Sequence, residues 1–126
     1  MLEGMKWATQ AFSLPAEKQK TIFPEDVNIA NEIGIEWEFS LEELKRPEVI
    51  SSLTEEQKLA FKSLDDYLLS IAGSEHPQYW TNEAVFESEE WKKIRILATN
   101  ILNIMGWKHE LEPQENLTIL YVDEEE

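Results

Sequence analysis

Histidine is the side chain best suited to acid–base chemistry or metal binding near neutral pH. The chain has two, His76 and His109, and neither belongs to a Glu-x-x-His or His-x-x-x-His pattern that would gather ligands on one helix face. Cysteine is absent, which excludes zinc–thiolate sites, thiol catalysis and disulfide bonds. We therefore predict no metal site and no cofactor.

Carboxylates are numerous, but their spacing indicates no catalytic pair. With 26 Asp and Glu in the chain, neighbours such as Asp65 and Asp66 arise by chance, and on a helix they diverge by about 100°. No Gly-x-Ser-x-Gly turn presents a nucleophilic serine. Four glycines are too few for a phosphate-binding loop. We therefore predict that the protein is not an enzyme.

The net charge is the strongest indication of function. Eleven Lys and Arg face 26 acids, for a formal charge of −15. Direct binding to nucleic acid or to an anionic membrane is disfavoured because both require a basic surface. A basic protein partner is favoured, since opposite charge accelerates association. The alternative is acidity that serves solubility alone.

Length and composition predict one domain. A chain of 126 residues can bury a core without metal or disulfide support. Residues 1–4 resemble a cloning remnant ahead of a native start at Met5, residues 5–122 form the predicted domain, and residues 123–126 an acidic, frayed tail. No run approaches the roughly 20 apolar residues of a membrane span, and no signal peptide opens the chain. We expect a cytoplasmic bacterial protein, monomeric or homodimeric.

Two long helices organise the predicted fold, over residues 88–105 and 55–72. The first follows Ser88, a good N-cap, and stops at Gly106, which tolerates the left-handed conformation. The second starts at the capping box formed by Thr54 and Gln57 and stops before Gly73. Each carries a broad apolar face, and we expect the two faces to pack together. The apolar arc of the first helix comprises Trp91, Ile94, Leu97, Ala98, Ile101, Leu102, Ile104 and Met105.

Residues 27–44 permit two interpretations. A single long helix would place Trp37 in the core and an acidic stripe on the opposite side; the stripe comprises Glu25, Glu32, Glu36 and Glu43. Alternatively, the helix ends at Gly34, Ile35–Phe39 alternates as a strand, and Ser40 caps a new helix. The broken version is favoured because Ile35 and Phe39 lie on the wrong side of the continuous helix. The predicted shorter helices are therefore 25–33 and 41–46.

After Gly106 the apolar period changes from 3.6 to 2 residues, which predicts a C-terminal hairpin of strands 107–112 and 117–122. Two strands alone are marginal, so a third strand from Lys6–Phe12 or Ile35–Phe39 is expected, although Lys6–Phe12 would also suit the start of a helix. The predicted fold class is α+β: a helix-rich domain with a small antiparallel sheet.

The predicted function is an acidic protein–protein interaction module, most concretely an inhibitor of the immunity or antitoxin type that binds a basic partner. Acids around an aromatic anchor suit capture of a basic surface. The candidate partner-binding residues lie in the acidic segment and in the aromatic loop before Thr81. They are Glu25, Glu32, Glu36, Trp37, Glu38, Glu42, Glu43, Tyr79 and Trp80.

Three alternatives stay open. A nucleic-acid mimic would occupy a DNA- or RNA-binding protein with carboxylates spaced like phosphates. A small-ligand-binding domain would hold a pocket among the tryptophans. An oligomer subunit would use Leu59, Leu69 and Ile96, which lie off the apolar faces of their helices, as contacts. For Trp37 and Trp80, burial in the core is the simpler interpretation.

Overall fold

The computed structural model of the protein describes residues 2–111, in which the chain forms helices joined by short turns. Their bounds, in chain order, are α1 Glu3–Ser13, α2 Ala16–Gln19, α3 Ile29–Leu44, α4 Pro47–Ile50, α5 Glu55–Ile71, a 3-10 turn at Pro77–Tyr79, α6 Asn82–Glu87 and α7 Glu89–Met105.

The two predicted long helices are confirmed, with the caps that the sequence indicates. At the start of α5, the Thr54 hydroxyl accepts from the backbone N–H of Gln57 across 3.0 Å, and the Gln57 side chain accepts from the Thr54 N–H across 2.9 Å. At the start of α7, Ser88 accepts from the N–H of Trp91. Gly106 ends α7 with φ 70°, a conformation that glycine adopts without strain. Helices α5 and α7 pack against each other.

Helix α1 is the central element, although its sequence gave no strong signal. Every residue from Trp7 to Phe12 is buried, including Thr9 and Gln10. The Thr9 hydroxyl donates to the carbonyl of Met5 across 2.7 Å, and the Gln10 amide donates to the carbonyl of Lys108 across 3.2 Å. Because these polar groups are satisfied, they can be buried at little cost.

The long helices follow one another in space as α3, α1, α7 and α5. Helix α1 packs against α3 and α7, and α7 packs against α5, but α3 and α5 do not pack against each other along their length. A series of aromatic rings crosses the interior at centroid separations of 5.7–6.4 Å. Its members, in order, are Trp80, Trp91, Phe12, Trp37, Phe61 and Trp107. The bundle is therefore closed on three sides and open between α3 and α5.

The predicted break within residues 27–44 is wrong. Helix α3 runs unbroken from Ile29 to Leu44 and is capped by Asn28, whose side chain accepts from the N–H of Asn31. The predicted helices 25–33 and 41–46 and the strand between them are thus replaced by one helix over residues 29–44. Ile35 and Phe39, which argued for the break, are instead exposed, at 46% and 72%. A helix of 16 residues tolerates such residues because its buried face supplies enough packing.

The predicted antiparallel sheet is also wrong for the part of the chain that the structure describes. Residues 2–111 contain no strand. Lys6–Phe12 lies within α1, and residues 107–111 form an irregular segment in which Trp107 and Leu111 pack onto the core. Alternation over so few residues does not distinguish a strand from a loop that turns two side chains inward. The predicted partner strand, 117–122, lies outside the described residues.

The first described residues are part of the bundle. Leu2 is 6% exposed, and Gly4 lies against Ser40 of α3. The proposed remnant at residues 1–4 and the domain bounds 5–122 stay predictions, and the tail 123–126 lies outside the described residues. Within residues 2–111, every helix is too short or too polar to cross a membrane.

Candidate protein-binding groove

A groove of about 810 Å³ lies on the open side of the bundle. We call it the α3–α5 groove. Its walls are successive turns of the two helices, and the segment after α5 closes one end. The residues that line it are Asn31, Gly34, Ile35, Trp37, Glu38, Leu41, Glu42 and Lys45 from α3, Asp65, Leu68 and Leu69 from α5, and Ala72, Gly73, Pro77 and Trp80 beyond it.

Trp37 connects the two walls at the base of the groove. Its ring is 1% exposed, and its indole N–H donates to a carboxylate oxygen of Asp65 across 3.0 Å. Phe12 contacts the same ring from α1, and Phe61 contacts it from α5. This hydrogen bond and the contact with Phe61 join α3 to α5 at one point, although the two helices do not pack along their length.

Trp80 lies at the end of the groove that the segment after α5 closes. Its indole N–H donates to the carbonyl of Ile71 across 2.8 Å, and its own carbonyl accepts from the Asn28 amide across 2.9 Å. The ring lies over Gly34, where an added Cβ would come within 3.2 Å of it. The glycine that suggested a helix end thus serves a close contact in the middle of α3.

The mouth of the groove combines apolar and acidic side chains. Ile35 is 46% exposed and Leu69 is 65% exposed. Glu38 and Glu42 stand one turn apart on α3 and are also exposed. With Asp65 they place three carboxylates around the groove against one cation, Lys45. The groove therefore offers apolar area within a negative field.

Two other acids of α3, Glu36 and Glu43, lie on the side that faces α1 and have partners within the protein. A carboxylate oxygen of Glu43 accepts from the backbone N–H of Leu2 across 3.1 Å, at the start of α1. Glu36 accepts from the Ser40 hydroxyl across 3.4 Å. Burial raises the pKa of the Glu36 carboxyl, and the bond from Ser40 partly offsets that rise. Both acids have partners within the protein, but only Glu43 lies at a helix N-terminus, where a negative charge is stabilising.

The structure separates the nine candidate residues into two groups. Four line the α3–α5 groove: Trp37, Glu38, Glu42 and Trp80. The other five lie elsewhere. Glu25 is exposed in the turn before α3, and Glu32 is half-buried on the helix. Tyr79 stacks on His76 and accepts from the indole N–H of Trp91 through its carbonyl. Of the predicted acidic stripe, Glu32, Glu36 and Glu43 share one face of α3, whereas Glu25 precedes the helix.

Sequence reasoning missed the α5 wall. Asp65, Leu68, Leu69 and Ala72 recur at i, i+3, i+4 and i+7, so they share one face of the helix. Leu69 did give a signal, since it lies off the core face. The position of Ile35 gave a second signal, but it favoured a strand instead.

The ionisable side chains that line the groove are Glu38, Glu42, Asp65 and Lys45. Among residues 2–111, no three His, Asp or Glu side chains come together as metal ligands. The Asp65 carboxylate is held by Trp37, and neither histidine lines the groove. The chemistry that this arrangement offers is recognition: apolar contact within an acidic border.

No family model, curated protein or solved structure matches this chain. Its function must therefore be argued from the groove itself.

Proposed function

We propose that the protein is an acidic protein–protein interaction module, most concretely a cytoplasmic bacterial inhibitor of the immunity or antitoxin type that binds a basic protein. The observation that carries the proposal is the α3–α5 groove, an apolar channel with three carboxylates and one lysine around it in a chain of net charge −15. Apolar contact supplies affinity, and the surrounding charge speeds encounter and rejects acidic proteins.

The shape of the groove supports a macromolecular partner. Ile35 and Leu69 stand at its mouth with much of their surface in water. Exposed apolar groups bordered by charge are typical of sites that another protein covers. Covering them removes their surface from water, which contributes about 25 cal/mol per Å² before the cost of association.

The test compares two pairs of acids. The partner would be captured from a lysate of the native organism and purified, and association rates would be measured by surface plasmon resonance from low to high salt. We expect one basic protein whose binding slows steeply with salt. Glu38→Gln with Glu42→Gln should slow association several-fold. The matched control, Glu87→Gln with Glu110→Gln, removes the same charge from exposed residues outside the groove and should change the rate by less than about two-fold.

A neutral or acidic partner, or a rate that does not depend on salt, would contradict the proposal. Equal effects of the two variant pairs would mean that overall charge, not the groove, attracts the partner. A gene for a basic protein next to the gene for this chain would be independent support, because inhibitors of this type are encoded beside their toxins.

A small apolar ligand is the second candidate, because the groove volume of about 810 Å³ lies within the range of small-molecule sites. A thermal-shift screen of small molecules separates the two functions. A ligand that raises the melting temperature, and whose effect is lost in Trp80→Ala, would favour this candidate.

A further inference from the structure

The proposed function leaves open how a partner would fill the groove. We propose that the α3–α5 groove binds an amphipathic, basic α-helix of the partner, which packs between α3 and α5 as a further helix of the bundle. This inference rests on the proposed function and specifies its mode of binding.

The walls of the groove have the spacing of a helix-packing surface. Lining residues recur on α5 at i, i+3 and i+4 from Asp65 to Leu69, followed by its C-cap Ala72, and on α3 in successive turns from Asn31 to its C-cap Lys45. Such rows form the ridges and grooves into which the side chains of another helix pack. Between Asn31 and Lys45 the helix axis rises about 21 Å. That length matches about four turns of a partner helix, or about 14 residues.

The backbone of the groove favours a helix over an extended peptide. Both walls are helices whose N–H and C=O groups bond within the helix. An extended segment would find no sheet edge to pair with among the lining residues, and its own backbone groups would lose water without gaining partners. A helix satisfies its backbone internally and presents only side chains.

Charge selects a basic partner over a second copy of this chain. Glu38, Glu42 and Asp65 stand around the groove with Lys45 as the one cation among the lining residues. A second copy would bring another chain of charge −15 to the same border, and like charges across an interface are costly. Lys or Arg on the flanks of a partner helix would instead reach Glu38 and Glu42 while its apolar face contacts Ile35 and Leu69.

The experiment selects peptides without assuming a partner. A phage-displayed library of random peptides of about 16 residues, enough to span the groove, would be selected on the whole protein. Clones that also bind the double variant Ile35→Ala, Leu69→Ala would be removed. We expect surviving clones with apolar residues at i, i+3 or i+4, and i+7, flanked by Lys and Arg. Acidic clones, or basic clones without helical spacing, would overturn the inference.

Affinity measurements on the best peptide locate its site. By isothermal titration calorimetry, Ile35→Ala with Leu69→Ala should weaken binding at least about ten-fold, as loss of central apolar contacts does. The control is Leu59→Ala with Ile96→Ala. These side chains are 64% and 65% exposed but lie outside the groove, and their loss should change affinity by less than about two-fold. Equal losses in the two variants would overturn the inference.

The outcomes separate this inference from the proposed function. If the natural partner requires Glu38 and Glu42 but tolerates Ile35→Ala with Leu69→Ala, the helix-binding mode is wrong and the acidic module stands. If no basic protein binds at all, both fail. Sedimentation that shows a dimer lost on Ile35→Ala with Leu69→Ala would assign the groove to a second copy. Nuclear Overhauser contacts between the groove and residues 117–122 would assign it to the chain's own terminus. Either result overturns the inference.

Discussion

On the side of α3 that faces α1, Glu36 and Glu43 accept hydrogen bonds from Ser40 and from the Leu2 backbone. On the side that faces the groove, Glu38 and Glu42 of the same helix are exposed beside Ile35 and Leu41. Residues of one type, within two turns of each other, thus have different partners. Acid content alone therefore does not identify an interaction surface, because some of the acids have partners within the fold.

Trp37 lies between the two sides of α3, and its loss should have the largest effect on stability. Trp37→Ala removes a fully buried ring and the bond that joins α3 to Asp65. We expect the free energy of unfolding to fall by about 3–5 kcal/mol. Urea denaturation measures it. Asp65→Asn is the control, because it keeps an acceptor for the indole N–H and should cost less than about 1.5 kcal/mol. If Asp65→Asn lowers the free energy of unfolding by more than about 1.5 kcal/mol, the charge of Asp65, rather than the packing of the Trp37 ring, stabilises the base of the groove.

Substitutions at two glycines test how tightly α3 packs on the side that faces α1 and on the side that faces the groove. An added Cβ at Gly4, on the α1 side, would lie 2.5 Å from the Ser40 hydroxyl and 2.8 Å from a Glu36 oxygen. Both side chains would have to move and their mutual hydrogen bond would be disturbed, while the helix preference of alanine offsets part of the cost, so we expect Gly4→Ala to destabilise the protein by about 1 kcal/mol.

At Gly34, on the groove side, the same change brings a Cβ to 3.2 Å from the Trp80 ring, a contact that a small ring shift relieves. The helix preference of alanine, up to about 1 kcal/mol, should offset that shift, so Gly34→Ala is expected to be neutral within about 0.5 kcal/mol. Thermal unfolding of both variants gives the comparison. Equal losses would mean that the two sides are equally tight.

The pH dependence of stability distinguishes Glu36 from Glu38. Because burial raises the pKa of folded Glu36, the folded state binds its proton more tightly than the unfolded state does. Its contribution to stability is therefore present at low pH and is lost as pH rises from the unfolded value through the raised folded value. Glu36→Gln should stabilise the protein at pH 7 relative to the wild type, and the gain should disappear near pH 4.

The control for that series is Glu38→Gln, which removes the same charge from an exposed position of α3. Urea denaturation at several pH values would be measured for both variants and the wild type. A gain at pH 7 of equal size in both variants would assign the effect to net charge rather than to the burial of Glu36.

An equally small effect on stability is expected for Leu69, the exposed leucine of the groove. Leu69→Ala and Leu59→Ala remove side chains of nearly equal exposure, 65% and 64%, from the same helix. Both should change the free energy of unfolding by less than about 0.5 kcal/mol. Differential scanning calorimetry checks this. A clear loss for Leu69→Ala alone would show that the groove residue supports the fold.

Local signals predicted the parts of the fold that caps define. The capping hydrogen bonds at Thr54, Ser88 and Gly106 join residues that are close in sequence, so local sequence patterns predict them. The continuity of α3 could not be read in this way. Gly34 indicates a helix end when only its neighbours in sequence are considered. Its role in the middle of α3 depends on Trp80, which is distant in sequence and packs on it. Helix α1 was obscured because Thr9 and Gln10 interrupt its apolar pattern although both are buried. Thr9 is satisfied within the helix by Met5, whereas Gln10 is satisfied by Lys108, a partner that only the tertiary structure supplies.

Sequence reasoning identified only part of the groove: residues of α3 and Trp80 were predicted, and the α5 wall was not. The acidic composition around Trp37 indicated Glu38 and Glu42, and the aromatic loop before Thr81 indicated Trp80. The α5 wall comes from a helix whose pattern is dominated by its core face. That α3 and α5 stay apart depends on the packing of α1 and α7 between them, which periodicity does not encode.

The indole of Trp80, which is held in place by its hydrogen bond to Ile71, is a fluorescent group at the groove. Trp80 is half-buried at the end of the groove, whereas Trp37 and Trp91 are almost fully enclosed. Filling the groove would remove water from the one lining indole that still contacts solvent, which shifts its emission to shorter wavelength. The Trp80→Phe variant would lose that spectral response, so occupancy of the groove could be followed by fluorescence without a label.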